Sequence, residues 1–260
     1  MAFVIHELKM NFKSLLVWTV IVSAMIFSFM LLFPVMEEQM GEISDVYSQM
    51  GGFSEAFGMN KLSFATAMGF YGVEVGAVLS LGGAMFAAII GISMLAKEQG
   101  GHATEFIYVT PNSRNYFITA KLVATVLILL VFDVVCFFFA VISFACIGED
   151  IELKKLCLYH LAQYFMHLEI AGICFGISAF LKKNNIGLGI GIAVILYFVN
   201  IFANITEKVE NLRYVTPYYY SDAAEILSSG KLEGVYIAIG MGILAVFLLT
   251  AYVKYNRKDF

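Results

Sequence analysis

Long apolar stretches separated by short polar segments dominate the chain. A helix needs about 20 mostly apolar residues to cross the roughly 30 Å hydrocarbon layer of a membrane. Stretches of that length lie approximately at Leu15 to Pro34, Gly69 to Ala96, Phe117 to Ile147, Leu156 to Leu181, Ile186 to Ile205 and Gly234 to Val253. They are apolar on every face, which favours helices over the alternating strands of a barrel. The pattern predicts an all-α polytopic membrane protein with six transmembrane helices in one domain, residues 1–260.

Composition agrees with this fold class. Hydrophobic residues make up 60% of the chain and charged residues 14%, which is more apolar than a water-soluble core can hide. The apolar stretch from Leu15 is too long for a secretory signal and no small-x-small cleavage site follows it, so we expect an uncleaved first span. Residues 1–14 mix Phe3 and Leu8 with Lys9 and Lys13. This partial amphipathicity predicts a short interfacial helix along the inner leaflet.

The distribution of lysine and arginine predicts the orientation of the chain. With six spans, both termini lie on one side. Ten of the 16 basic residues belong to the segments on that side, namely Lys9, Lys13, Lys97, Arg114, Lys121, Lys182, Lys183, Lys254, Arg257 and Lys258. Because basic residues are enriched in cytoplasmic segments, we expect both termini in the cytoplasm of a cell that carries the protein in its plasma membrane.

Two outer segments are longer than a turn requires, Val35 to Met68 and Thr206 to Glu233. The first has periodic apolar residues around a Gly51-Gly52 break, which predicts short helices on the membrane surface. The second contains Pro217 followed by Tyr218 and Tyr219. These residues are either an aromatic belt with a connector or an outer gate for substrate, and both interpretations stay open.

Three carboxylates fall inside the predicted spans: Glu74, Asp133 and Glu169. Glu74 lies close enough to the outer end of its span to reach the interface. A carboxylate at the midplane costs at least about 2.5 kcal/mol, so Asp133 and Glu169 are expected to face the bundle interior or a watery cavity. Their partners would be hydroxyls, a histidine, water or a second chain, unless they are protonated. The three acids either line a translocation path for cationic or amphipathic cargo or fix helix packing.

Metal binding and covalent catalysis find little support in the sequence. His160 and His167 share a helix face, but Glu169 is about 200° around the helix from His167, so the three side chains cannot converge within one helix. Four cysteines, Cys136, Cys146, Cys157 and Cys174, lack CxxC spacing and are expected to pack in or beside the spans. No nucleophile elbow or catalytic dyad is evident. We therefore expect no metal site and no catalytic residue.

The largest polar island in the first half of the chain, KEQGGHATEFIYVTPNSR at residues 97–114, lies between the second and third spans. Glu98, the glycines that follow it, Thr104-Glu105-Phe106, Thr110-Pro111 and Ser113-Arg114 resemble the signature of ABC-2 type permeases. Thr216 to Tyr220, the six spans and the basic ending YNRKDF are also similar to that family. One departure is His102-Ala103, which stand where the family more often has Gly-Thr directly.

The resemblance implies the membrane half of an ATP-driven transporter, usually an exporter, built from two permease chains and two cytoplasmic ATPase subunits. Residues 97 to 114 would form a coupling helix that docks on the ATPase, with Glu98, Gly101, Thr104, Glu105, Pro111 and Arg114 as its candidate contact residues. The chain has no GxxxxGK[ST] phosphate loop, so ATP and magnesium would bind the partner and no cofactor would bind this chain. Further partners would be a second permease chain and membrane lipids, with no nucleic acid.

Other functions remain compatible with the sequence. A proton-coupled secondary transporter could use Asp133 and Glu169 as a relay without an ATPase. A membrane scaffold or sensor would transport nothing. Within the exporter interpretation, acidic outer segments favour amphipathic peptides, drugs or lipids over polyanionic glycans.

Overall fold

The protein is described by a computed structural model that covers residues 2–48, 51–52, 54, 58–59, 61–99, 113–205 and 207–257. Side chains are described in these ranges except at 38–48, 98–99 and 207–210. The long helices are α1 (Ala2–Ser48), α2 (Ala67–Phe70, a π-helical turn Tyr71–Val75, then Gly76–Gln99), α3 (Arg114–Ile147), α4 (Leu153–Ser178), α5 (Ile186–Ile205) and α6 (Gly234–Asn256). A 3-10 helix Glu207–Tyr214 and a short helix Ala223–Ser229, here called the outer helix, lie between α5 and α6.

The predicted all-helical membrane fold is confirmed. Six helices in the described ranges are long and apolar enough to cross a membrane, and no strand occurs in those ranges. Local sequence explains both ends of α3. Ser113 accepts a hydrogen bond from the Tyr116 N–H at the start of α3, and Gly148 ends that helix in the left-handed region with φ 77°.

The first helix differs from the expected arrangement of an interfacial helix followed by a separate span. It is continuous from Ala2 to Ser48, so residues 2–14 extend the first span. No proline or glycine interrupts residues 2–14, and Glu7 is buried against α2 and α3, which holds this part of the helix on the bundle. The helix also continues past Pro34, the predicted end of the span.

The fourth helix is the centre of the bundle. Of the six, α4 has the least apolar segment, with a mean hydropathy of 1.2, yet 72% of that segment is buried within the chain. It packs against α2, α3 and α6 and contacts α5 and the outer helix. Several of its polar side chains, Gln163, His167 and Glu169 among them, are buried. They avoid lipid by facing other helices, as the cost of polar groups in hydrocarbon requires.

Contacts between helix ends show how the chain is threaded. Glu7 of α1 contacts Lys97 at the end of α2, and Arg114 at the start of α3 donates a hydrogen bond to the Asn256 carbonyl at the end of α6. The start of α1 and the end of α6 therefore lie at the same end of the bundle. We call this the inner end, although its location in the cytoplasm is a prediction.

Candidate functional site

Three charged side chains form a buried cluster at the inner end of the bundle. The Glu7 carboxylate on α1 accepts hydrogen bonds from Lys97 Nζ at 2.6 Å and Lys121 Nζ at 2.8 Å. Glu7 is 1% exposed and Lys121 is fully buried, whereas Lys97 is partly exposed. We call Glu7, Lys97 and Lys121 the inner ion cluster. A buried charge is tolerated only when it is paired in this way.

The position of the inner ion cluster makes it relevant to coupling. Lys97 lies in the last turn of α2, and Lys121 lies two turns into α3. These helices flank residues 100–112, the region of the predicted coupling helix. Both flanking helices are thus fixed to the same carboxylate of α1, so displacing either of them disturbs a buried ion pair.

Four of the six predicted coupling residues lie outside the described part of the chain. Gly101, Thr104, Glu105 and Pro111 lie outside the described residues, and Glu98 belongs to α2 but its side chain is not described. Arg114 begins α3, and its Nη1 donates to the Asn256 carbonyl at 2.9 Å. Arg114 therefore connects α3 to the end of α6, a contact that the sequence did not indicate.

In the middle of the bundle, Asp133 of α3 pairs with His167 of α4. The two carboxylate oxygens lie 3.0 and 3.1 Å from His167 Nδ1, and both residues are buried. On the other side of the ring, Nε2 has no hydrogen-bond partner in the described part of the chain. Gly83 of α2 approaches that nitrogen so closely that an added Cβ would overlap it. A histidine is one of the partners expected for a carboxylate at this depth.

Glu169 is held at a different place. Its Oε2 accepts a hydrogen bond from the Tyr220 hydroxyl at 2.8 Å, and it lies against Gly240 of α6, where a Cβ would overlap the carboxylate. Asp133 and Glu169 therefore have separate partners and do not form one relay through a direct bond. Glu74, in the π-helical turn of α2, is partly exposed, and its side chain has no hydrogen bond or ion pair with described residues.

The predicted outer gate residues belong to a buried turn, residues 216–222, which we call the tyrosine segment. Pro217 and Tyr218 are buried, and the Tyr218 hydroxyl donates to the Ala193 carbonyl of α5 at 3.1 Å. Tyr219 packs edge-on against Tyr236 of α6, with Arg213 5.2 Å from its ring centre. Burial raises the pKa of Tyr219 to about 12, so its hydroxyl stays neutral at physiological pH.

The tyrosine segment also reaches α4 and α2. Gln163 of α4 donates through Nε2 to the Ser221 carbonyl at 2.8 Å and to Ser80 Oγ of α2 at 2.9 Å. Asp222 then caps the outer helix by accepting from the N–H groups of Ala224 and Glu225. The segment therefore connects α2, α4, α5 and α6 instead of lying only at headgroup depth.

The two histidines of α4 have different partners. His160 Nε2 lies 2.7 Å from the Tyr71 hydroxyl, and His167 faces Asp133. Among the described residues, no three His, Cys, Asp or Glu side chains converge on a position that could hold a metal ion.

The sequence indicated the two midplane acids, Asp133 and Glu169, but not the residues that bind them. It assigned Lys97 and Lys121 to topology and did not single out Glu7. Lys121 offered a signal, because it lies inside the predicted span from Phe117 and a lysine there needs a partner. Tyr220 was noted only within a tyrosine run, and its bond to Glu169 joins positions 51 residues apart.

The Asp133 to His167 pair gives a prediction about stability. Asp133→Leu removes the acceptor of the buried ring N–H and is expected to cost about 1–3 kcal/mol of unfolding free energy. Asp133→Asn keeps an acceptor oxygen and should retain most of the stability. Thermal unfolding in detergent measures both, with Val134→Ala as the control because Val134 is exposed on the same helix. Equal stability of the Leu and Asn variants would contradict a structural role for the bond.

Comparison with known proteins identifies the family. The family model described as ABC-2 family transporter protein matches residues 1–260. The comparison with curated proteins finds no match. Members of this family are membrane components of transporters and not the ATPase itself. The six helices that are long and apolar enough to cross a membrane agree with this whole-length match, and the chain belongs to the ABC-2 family of transporter proteins.

Proposed function

We propose that this chain is the permease subunit of an ATP-driven exporter in the plasma membrane, with both termini in the cytoplasm. Separate ATPase subunits bind ATP and magnesium and dock on residues 97–114. The family provides the transport role, and the inner ion cluster is the observation that supports the coupling mechanism. It fixes the helices on both sides of the docking segment to α1.

Coupling then has a physical route. A movement of the segment pulls on the end of α2 and the start of α3, which share the carboxylate of Glu7. Because separating a buried ion pair costs several kcal/mol, these helix ends move together with α1 instead of moving independently. Helix α2 continues to the outer end of the bundle, where it contacts the outer helix. Motion of its inner end therefore reaches the tyrosine segment, the proposed outer gate.

The proposed cargo is an amphipathic peptide, drug or lipid. Acidic residues are frequent in the outer segments, Glu149, Asp150, Glu152, Glu225 and Glu233 among them, which favours cationic over anionic cargo. Asp133, Glu169 and Glu74 remain candidates for the translocation path. The first two are engaged with His167 and Tyr220, so cargo would reach them only after those bonds open.

The docking proposal predicts the effect of Glu105→Ala. Losing a charged contact at the interface is expected to weaken ATPase binding by about 1.4 kcal/mol, or roughly tenfold, and to lower ATP-driven transport. The measurement is ATPase co-purification and cargo flux in vesicles that contain both subunits. Asn185→Ala, in the other short inner connection, is the control. Wild-type binding and flux in Glu105→Ala would contradict docking through this residue.

A proton-coupled secondary transporter is the second candidate, and the buried Asp133 to His167 pair favours it because such pairs carry protons in membrane transporters. Flux in the same vesicles separates the two functions. Flux that requires ATP, stops with vanadate and persists with a protonophore supports the exporter. Flux that runs without ATP and stops with a protonophore supports the secondary transporter.

We also propose that two permease chains pair through one face of α5. Gly191 has no neighbouring atom within 4 Å of an added Cβ, and Ile195, Phe198 and Phe202 are 64%, 52% and 60% exposed. These positions recur every three or four residues and share a helix face. Small residues on such a face permit close approach of a second helix.

The pairing proposal predicts that Gly191→Leu lowers dimerisation. The added side chain prevents close approach of the two helices, and we expect the dimer to weaken by at least about 1.4 kcal/mol, or tenfold. Gly242→Leu in α6 is the matched control, because its Cβ also meets nothing within 4 Å. Mass photometry of the purified permease measures both. Equal loss in both variants, or in neither, would contradict pairing through α5.

A further inference from the structure

A small cavity with both polar and apolar walls lies between α2, α5, the tyrosine segment and the start of the outer helix. Its volume is about 60 Å³, and its walls include Ser80, Tyr197, Asn200, Tyr218 and Asp222. A water molecule needs roughly 10–15 Å³ of such volume, so the cavity has room for a few waters or for a small ion with part of its hydration shell. Asn200 lies five residues before the end of α5, about 8 Å from it along the helix axis.

The strongest indication of a ligand is Asn200. This residue is only 6% exposed, and its Oδ1 has no hydrogen-bond partner in the described part of the chain. An unsatisfied buried amide oxygen costs about 1–3 kcal/mol, and a ligand that donates to it or coordinates it removes that cost. An apolar ligand could not bond to this oxygen and would leave the cost in place.

The other polar groups around the cavity are also mainly oxygen acceptors. Asp222 uses Oδ1 to cap the outer helix, which leaves Oδ2 without a bond to the described residues. The Ser80 oxygen accepts from Gln163, and Tyr197 and Tyr218 also line the cavity. No lysine or arginine belongs to the described lining. Burial raises the pKa of Asp222. Lys61, which is not part of the lining, opposes this effect in part, and a cation in the cavity would oppose it further.

We propose that this cavity binds a small monovalent cation, either an alkali ion or the primary ammonium group of an amine-bearing cargo. Both present a compact positive charge to oxygen ligands, and an ammonium group also donates three hydrogen bonds. The Asn200 amide and the Asp222 carboxylate are the principal ligands. The step from binding to export of amine-bearing cargo rests on the proposed transporter function, whereas cation binding itself requires neither ATP nor the ATPase.

Thermal unfolding of the purified full-length permease, without ATPase, tests the site. The probes are potassium chloride, ammonium chloride and ethylammonium chloride, each compared with tetramethylammonium chloride at equal ionic strength. Tetramethylammonium carries the same charge but is bulkier and donates no hydrogen bond. We expect a bound cation to raise the Tm by about 2–4 °C at saturation, because it binds the folded chain and not the unfolded one.

Two variants connect the shift to the cavity. Asp222→Asn removes the charge but keeps an oxygen that caps the outer helix, so folding is expected to survive. Asn200→Leu removes the unpartnered amide. Each is expected to raise the cation concentration at half-maximal shift by at least tenfold. Asn204→Leu, one turn further along α5 and outside the cavity lining, is the matched control and should keep the wild-type response.

The outcomes separate the ligand sources. A shift with potassium but not with ethylammonium identifies an alkali-ion site, whether or not ammonium also binds, and a shift with ethylammonium identifies a site that accepts a primary amine. Either supports the proposal if it weakens in both cavity variants. The proposal is overturned if no cation shifts the Tm beyond tetramethylammonium, or if both cavity variants respond like the wild type. Cation binding in a chain that shows no ATP-driven flux would reject the ATP-driven exporter and leave this site standing.

Discussion

The structure depends on one constraint: polar side chains within a membrane must find their partners inside the protein. Among the described side chains, helix α4 carries more buried polar groups than any other helix, and three of them bind different neighbours. Gln163 bonds to α2 and the tyrosine segment, His167 to α3, and Glu169 to Tyr220 beside α6. Together with van der Waals packing, these bonds specify which helices surround α4.

The same constraint acts at both ends of the bundle, with different consequences. At the inner end, Glu7 joins α1, α2 and α3 through two buried ion pairs. At the outer end, Gln163 and Tyr218 hold the tyrosine segment against α4 and α5 through neutral hydrogen bonds, and the Tyr220 hydroxyl donates to the Glu169 carboxylate. Neutral hydrogen bonds are weaker than charge-assisted ones, so the bonds of Gln163 and Tyr218 open at lower cost than the inner ion pairs. This difference is consistent with the proposed transporter, which is driven from the inner end and opened at the outer end.

The sequence predicted the number and type of the spans because long apolar stretches have few alternatives in a membrane. It also identified Asp133 and Glu169 as buried acids. It could not predict that His167 and Tyr220 are their partners, since those contacts depend on helix rotation and on a turn 51 residues away from Glu169. Local amphipathicity led to the prediction of an interfacial helix at residues 1–14. That pattern does not reveal that Glu7 bonds to Lys121, which is 114 residues distant and holds this region on the bundle.

The most direct test of the account is the amount of cargo transported per ATP hydrolysed when the shared carboxylate is removed. In vesicles containing the permease and its ATPase, Glu7→Gln leaves residues 97–114 intact, so the ATPase should bind and hydrolyse ATP as before. If the inner ion cluster links the docking segment to α1, the transported amount per ATP should fall at least about fivefold, the lower limit of typical coupling energies. An unchanged ratio in a folded Glu7→Gln permease would contradict the coupling route.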